Sequence, residues 1–274
     1  MRWMILLAAL LAATPLRAGE DGALTRLLSL DEARPWAGVG RVNVAGNGFC
    51  TGTLIAPDRV LTAAHCLVFR RTGRPVPPGE ISFLAGYRAG SFLAMRRVRR
   101  YAVHRDYRPG ERAGEALLRA DLAVLELESP VAGNGVQPFP MAPRPPAGAA
   151  VAVVSYARDR AHVPAVQEPC HVLALHQPVL ILSCEVNFGA SGAPVFLRMG
   201  QGPALAAMIS AMSSWQGRRV ALAVALDGVL GEVLAALPAM PAAFRGVRPG
   251  EEGPDAQPLS APALRKVSRP PAAR

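Results

Sequence analysis

Short runs of β-favouring residues, each ended by turn residues, dominate the chain from Trp36 onward. In residues 39–44, apolar side chains alternate with small or polar ones, as expected for a half-buried strand. Asn47-Gly48 is a strong hairpin turn, and Pro57-Asp58 marks another turn before the next run. Many short strands, without helices alternating between them, predict β-barrels rather than βαβ units. The predicted fold class is therefore all-β.

A Pro-rich stretch at residues 138–148 has the composition of a linker and divides these runs into two sets. We therefore predict a first unit over residues 19–137, which opens with an irregular lead-in, and a second unit over residues 149–240. A chain of 274 residues is long enough for two such units, each with a buried core.

The second unit ends with a helical pattern. Apolar residues recur at helical spacing between Asp227 and Leu237, so we predict a helix there, with Asp227 as its cap and Pro238 as its end. Residues 241–274 turn to Pro, Gly, Ala and charge, and we expect them to form a disordered tail.

Residues 1–18 have the composition of an export signal. Arg2 supplies a positive charge, residues 4–13 form an uninterrupted apolar run, and Ala18 offers a small residue for cleavage. A retained membrane anchor is the alternative, but the run falls short of the ~20 apolar residues that a spanning helix needs. We therefore expect a secreted or periplasmic mature chain without stable membrane association.

Export to an oxidising compartment favours disulfide bonds among the four cysteines. Four cysteines allow three pairings, of which the sequence-local one, Cys50–Cys66 and Cys170–Cys184, is the simplest. A metal site is the competing interpretation, and it is weak because neither pair has the close C-x-x-C spacing.

The chain is strongly basic, with a net charge of +10 that comes almost entirely from arginine. A nucleic-acid or membrane-surface partner would explain this charge, and so would a solvated surface rich in arginine. No nucleic-acid-binding motif is present, and the densest cluster, residues 96–100, is not interleaved with aromatic residues. We therefore expect no nucleic-acid partner.

Three residues suited to acyl transfer occur in the order His65, Asp121, Ser191. A serine hydroxyl is a weak nucleophile that needs a base within hydrogen-bond reach, and an imidazole can take and return its proton. A buried carboxylate, here just before an apolar strand, can orient that imidazole. Each residue alone is commonly structural, but the combination, with Cys50 and Cys66 on either side of the histidine segment, is far more specific.

The serine lies between glycines. Gly189 and Gly192 permit a tight turn close to a substrate carbonyl, so the backbone N–H groups of Gly189 and Ser191 are candidates for an oxyanion hole.

The segments CTGTLI, VLTAAHC, VHRDY, DLAVLEL and GASGAPVF resemble those of trypsin-like (chymotrypsin-fold) serine endopeptidases, of the small secreted bacterial kind that includes the glutamyl endopeptidases. The resemblance covers roughly residues 36–237. It implies two antiparallel six-stranded barrels with the active site between them, His65 and Asp121 in the first and Ser191 in the second. It also implies the Cys50–Cys66 disulfide, a terminal helix, and cofactor-free hydrolysis of protein or peptide substrates through an acyl-enzyme.

Two residues depart from the GDSGGP serine motif of that family, namely Ala190 in place of aspartate and Ala193 in place of glycine. In trypsin the aspartate pairs with a newly freed N-terminal amine, and Ala190 cannot form that ion pair. We therefore do not expect activation by N-terminal insertion. Ala190 also motivates an alternative function, a catalytically weak or inactive protease-like protein that serves in binding or as a scaffold.

The resemblance also points to substrate-binding residues. Glu185, six residues before the serine, corresponds to the pocket floor of trypsin relatives and would favour Arg or Lys, although the placement of Cys184 leaves that register open. Ser210 and Met212 belong to the segment that resembles the substrate-pairing strand, and Met212 would narrow the pocket. No histidine lies near Ile209, which disfavours the acidic specificity of the glutamyl enzymes. The natural substrate and the oligomeric state do not follow from the sequence.

Overall fold

The computed structural model describes residues 20–109, 114–200 and 202–237. The predicted export signal, the end of the helix at Pro238 and the predicted tail lie outside these residues.

The lead-in is more ordered than its composition indicates. It forms a strand, β1 (Leu24–Arg26), and a short helix, α1 (Leu30–Ala33). A capping box starts α1, because the Ser29 side chain accepts from the Glu32 N–H and the Glu32 carboxylate accepts from the Ser29 N–H.

Six antiparallel strands close into the first barrel. They are β2 (Val39–Val44), β3 (Gly48–Ala56), β4 (Arg59–Thr62), β5 (Ile81–Ala85), β6 (Ala94–Val103) and β7 (Ala123–Leu127), in the order β2-β3-β4-β7-β6-β5. Alternate side chains such as Val42, Leu54, Phe83 and Leu125 are fully buried inside. Each such burial contributes about 1.5–3 kcal/mol to the free energy of unfolding. A second short helix, α2 (Glu115–Ala120), precedes β7.

A second circuit of six antiparallel strands forms the other barrel. They are β8 (Ala150–Ser155), β9 (Ala165–His176), β10 (Val179–Leu182), β11 (Pro194–Met199), β12 (Gly202–Trp215) and β13 (Arg218–Ala225). The pairings β8–β9, β9–β10, β10–β13, β13–β12, β12–β11 and β11–β8 close it. β1 pairs with the first part of β9, along the edge that the short β10 leaves unpaired.

A C-terminal helix, α3 (Val229–Ala236), follows the second barrel, so the predicted all-β class with two barrels and a terminal helix is confirmed. The prediction that Asp227 caps this helix is wrong. Gly228 occupies the cap without a side-chain hydrogen bond, because the Asp227 carboxylate is bound to the Arg144 guanidinium at 2.9–3.0 Å.

One continuous apolar core joins the two barrels. The Phe196 ring of β11 lies 5.3 Å from the Trp36 ring and 4.6 Å from the Phe139 ring, centroid to centroid. The Pro-rich stretch is not a free linker, since the Ala142 N–H donates to the Leu205 carbonyl of β12. The two barrels are therefore packed directly against each other through this shared core. Among the described residues, no helix has the length and hydrophobicity of a membrane span.

Candidate active site

His65 lies at the end of β4, in a single 3₁₀ turn over Ala64–Leu67. Ala64 and Leu67 are fully buried, and Cys66 is bonded to Cys50 of β3. The turn is thus held by core packing and by a disulfide. Both sequence-local disulfides, Cys50–Cys66 and Cys170–Cys184, are present. The sulfurs of Cys50 and Cys66 lie near His65, but disulfide sulfurs are not thiolates and therefore offer no metal site.

Asp121 directly follows α2 and is only 4% exposed. Its Oδ1 accepts from the His65 backbone N–H at 2.8 Å, and its Oδ2 lies 2.7 Å from His65 Nδ1. Ser210 Oγ donates to the same Oδ2 at 2.5 Å. A carboxylate can only accept, so Nδ1 carries the imidazole proton that faces Asp121. The other ring nitrogen, Nε2, is left as the acceptor in the neutral ring.

Ser191 sits in a tight turn that requires glycine at positions 189 and 192. Gly189 and Gly192 have φ of +99° and +82°, and a Cβ at Gly192 would collide with the Thr51 carbonyl oxygen. The Thr51 N–H donates to the Ser191 carbonyl at 2.9 Å, and the Gly192 N–H donates to the Ile209 carbonyl at 2.8 Å. The serine turn of the second barrel is therefore anchored to β3 of the first and to its own β12.

A single cleft of about 590 Å³ is lined by His65, Asp121 and Ser191 together. The three residues come from different segments, and the packing of the two barrels brings them to one surface. The N–H groups of Gly189 and Ser191 donate to no acceptor among the described residues. The cleft thus combines a serine, an imidazole with a free nitrogen, and backbone donors without a partner.

The residues expected to bind substrate are only partly in this cleft. Ser210 and Met212 line it, and the Ser210 hydroxyl is engaged by Asp121. Glu185 is exposed and is not among the lining residues, contrary to the expected pocket floor. Its backbone N–H donates to Gln167 Oε1 at 2.6 Å, which ties the residue to β9 with its side chain in solvent.

Several lining residues were not foreseen from the sequence. Leu117 and Leu118 of α2 add apolar side chains to the cleft lining, and Tyr107 also lines the cleft. Burial and then the nearby Asp121 carboxylate raise the pKa of Tyr107 to about 12, so its phenol stays neutral under ordinary conditions. Only Tyr107 lies in a segment that carries the family resemblance, VHRDY, and nothing in the sequence places α2 over the cleft.

Comparisons with known proteins point in one direction. A family model described as a trypsin-like peptidase domain matches residues 50–204. A trypsin from Saccharopolyspora erythraea is 34% identical over 95 residues, which are 34% of this chain and 37% of that protein. Coagulation factor XII from Cavia porcellus is 37% identical over 95 residues, which are 35% of this chain and 15% of that protein. These alignments therefore span 37% or less of the relatives' own length.

Among solved structures, a Glu endopeptidase in complex with MPD is similar, with a TM-score of 0.63. The superposition covers 80% of this chain and 97% of that chain, at 18% sequence identity. At this level of identity the likeness shows the fold.

Proposed function

This chain belongs to the trypsin-like peptidase family, and from that premise we propose that it is a serine endopeptidase. The observation that carries the proposal is the His65–Asp121 contact of 2.7 Å in a cleft that Ser191 also lines. That contact sets the imidazole tautomer and leaves Nε2 free to accept a proton, as a general base requires.

In the proposed reaction, Ser191 Oγ attacks the substrate carbonyl carbon while His65 Nε2 takes the hydroxyl proton. Asp121 stabilises the imidazolium that forms. The N–H groups of Gly189 and Ser191 donate to the oxygen of the tetrahedral intermediate. The C–N bond then breaks, and His65 returns its proton to the leaving amine. Water, activated by the same imidazole, hydrolyses the acyl-enzyme and regenerates Ser191, so no cofactor is needed.

We further propose that the substrate is a protein or peptide with an apolar side chain before the cleaved bond. Val186, Ala211 and Met212 line the cleft, and among the described lining residues the one carboxylate, Asp121, already accepts hydrogen bonds at both oxygens. A buried Arg or Lys would find no free carboxylate among these residues, whereas an apolar side chain gains from leaving water.

The compartment belongs to the same proposal. Two disulfides support an oxidising environment, secreted or periplasmic. Two arginines of the basic cluster at residues 96–100 also have a structural role. Arg99 and Arg100, together with Arg59 of β4, surround the buried Glu126 carboxylate. This arrangement favours a solvated basic surface over a nucleic-acid site.

Hydrolysis of an unfolded protein substrate tests the proposed activity. Ser191→Ala should abolish hydrolysis apart from the residual ~10³–10⁴-fold acceleration over water that binding and backbone donors provide. Ser213→Ala, at an exposed serine of β12, is the matched control and should leave activity unchanged. Hydrolysis by wild type that does not exceed the background rate of Ser191→Ala would favour the alternative, a protease-like binding or scaffold protein.

A further inference from the structure

The loop from Phe188 to Ser191 has its carbonyl groups anchored one after another. The Arg158 N–H donates to the Phe188 carbonyl at 2.7 Å, Thr51 Oγ1 donates to the Gly189 carbonyl at 3.0 Å, and the Ala193 N–H donates to the Ala190 carbonyl at 2.9 Å. In a planar trans peptide the C=O and N–H bonds point in opposite directions. Anchoring the Phe188 and Ala190 carbonyls therefore fixes the directions of the Gly189 and Ser191 N–H groups.

Thr51 is the residue that links these anchors across the barrels. It is fully buried in β3, and its hydroxyl also accepts from the Tyr156 N–H at 3.1 Å. Its own N–H binds the Ser191 carbonyl at 2.9 Å. One side chain thus joins Gly189 to the segment at Tyr156, and that segment continues to the Arg158 N–H that holds Phe188.

The residue before this loop is held by the same segment. Asn187 Oδ1 accepts from the Phe188 N–H at 2.8 Å, and Asn187 Nδ2 donates to Asp159 Oδ1 at 3.3 Å. The Arg158 guanidinium lies 5.0 Å from the centre of the Phe188 ring. Residues 156–159 therefore contact the loop at several points. None of these contacts involves the side chain of Ala190, the position at which the family motif has an aspartate.

Residues 21–26 are bound away from the serine loop. The Gly22 N–H donates to the Pro169 carbonyl, and the Asp21 carboxylate accepts from Ser183 Oγ at 2.6 Å and lies 2.8 Å from His171 Nδ1. With β1 paired to β9, this stretch is engaged on the second barrel rather than at the serine loop.

We propose that the Arg158 N–H and the Thr51 hydroxyl are positioning groups for the oxyanion donors. The Arg158 N–H holds the Phe188 carbonyl and so directs the Gly189 N–H toward the substrate carbonyl oxygen, and the Thr51 hydroxyl supports this by binding both the Tyr156 segment that leads to Arg158 and the next carbonyl of the loop, that of Gly189. The loop is then formed by internal hydrogen bonds and needs no free N-terminal amine. This inference rests on the proposed peptidase activity, and wild-type labelling by a fluorophosphonate tests that activity separately.

Thr51→Val is the direct test, because valine keeps the shape and removes the hydroxyl. Deleting an oxyanion-hole donor typically costs 10²–10³ in kcat, so misdirecting one should lower kcat and the fluorophosphonate labelling rate by about tenfold, with KM within about twofold. Thr51→Ser keeps the hydroxyl and should restore both rates. The matched control is Thr53→Val on the same strand, because Thr53 is equally buried and its Oγ1 has no partner among the described residues.

Arg158→Pro tests the second anchor without touching Thr51. Arg158 is the first residue of a 3₁₀ turn and follows an extended residue, Ala157, so proline is compatible with this position. It removes the N–H that holds Phe188 and should lower kcat and labelling in the same way. Arg158→Ala is the matched reference, because both variants lack the guanidinium over the Phe188 ring and only Arg158→Pro also lacks the N–H.

The results of these experiments distinguish failure of the positioning role from failure of the proposed peptidase activity. The inference is supported if Thr51→Val has a lower kcat and slower labelling than Thr53→Val, or Arg158→Pro than Arg158→Ala, while an added N-terminal extension leaves both rates unchanged. Rates in both variants equal to those of their controls would overturn it, as would loss of activity on N-terminal extension. A wild-type chain that is not labelled at all would overturn the proposed function and this inference together.

Discussion

Asp121 shows most clearly how single residues define the candidate site. One of its oxygens binds the His65 backbone and the other binds the His65 ring and Ser210. The carboxylate therefore fixes both the position and the tautomer of the imidazole. Ser210, on β12 of the second barrel, fixes the carboxylate in turn, so the geometry of the base depends on both barrels.

Asp121→Asn should lower kcat by about 10³–10⁴ while KM changes little, because the amide can donate to Nδ1 and stabilise the wrong tautomer. Steady-state hydrolysis of a peptide substrate measures both constants. Asp31→Asn, at an exposed position of α1, is the control. A kcat within about tenfold of wild type would contradict the assigned role of Asp121.

Ala190→Asp restores the aspartate of the family motif, but it should lower the stability of the folded protein. Ala190 is fully buried, and the described residues nearest the N-terminus include β1, which is paired with β9. A buried carboxylate without a partner should cost about 3 kcal/mol of unfolding free energy. Urea denaturation compares it with Ala132→Asp at an exposed site. Equal stability of the two variants would show that a charge partner is available near Ala190.

At the scale of elements, the sequence predicts those strands and helices that are determined by a local pattern of residues. Alternation and turn residues predict the barrel strands, and the helical spacing before Leu237 predicts α3. The sequence does not predict β1, because pairing with β9 supplies the stability of that strand. Nor does it predict that α2 lines the cleft.

The candidate site residues His65, Asp121 and Ser191 can be identified from sequence motifs. The exposed position of Glu185 is not predicted from the sequence, because the Glu185 backbone N–H donates to Gln167 Oε1, 18 residues away in the chain.

The Cys50–Cys66 disulfide ties the histidine turn to β3 and closes a loop with a sequence separation of 16. The double variant Cys50→Ala/Cys66→Ala should lose about 3 kcal/mol of unfolding free energy. It should also lose part of kcat, since Cys66 adjoins His65. Denaturant midpoints and hydrolysis rates measure the two effects, with Cys170→Ala/Cys184→Ala as a comparison of similar loop length. An unchanged midpoint in the first double variant would contradict this assignment.

For the whole molecule, the joined core places three tyrosines in apolar surroundings. Burial raises the pKa of Tyr101 and of Tyr107 to about 12 and raises that of Tyr156 further. The Tyr101 hydroxyl donates to the Val76 carbonyl and the Tyr156 hydroxyl to the Tyr87 carbonyl, so both are held as neutral donors. The neutral phenols are thus part of the packed fold.

These tyrosines predict how stability changes with alkaline pH. Below pH ~10 the phenols are protonated in both folded and unfolded chains, so their contribution is complete. As pH rises from ~10 toward ~12, the unfolded chain loses these protons first, and the free energy of unfolding must fall. Absorbance at the tyrosinate band should show that the three phenols ionise only as the protein unfolds. Ionisation of all the tyrosines near pH ~10 in the folded protein would contradict the burial described here.

The central claim is that Ser191 is a nucleophile activated by His65, and covalent labelling by a fluorophosphonate probe tests it most directly. We expect stoichiometric labelling of wild type at Ser191, located by peptide mass spectrometry. His65→Ala should lower the labelling rate by at least about 10³, because the general base is lost. His104→Ala, outside the cleft lining, should label like wild type. Absence of labelling, or labelling at Ser191 that does not depend on His65, would contradict the claim.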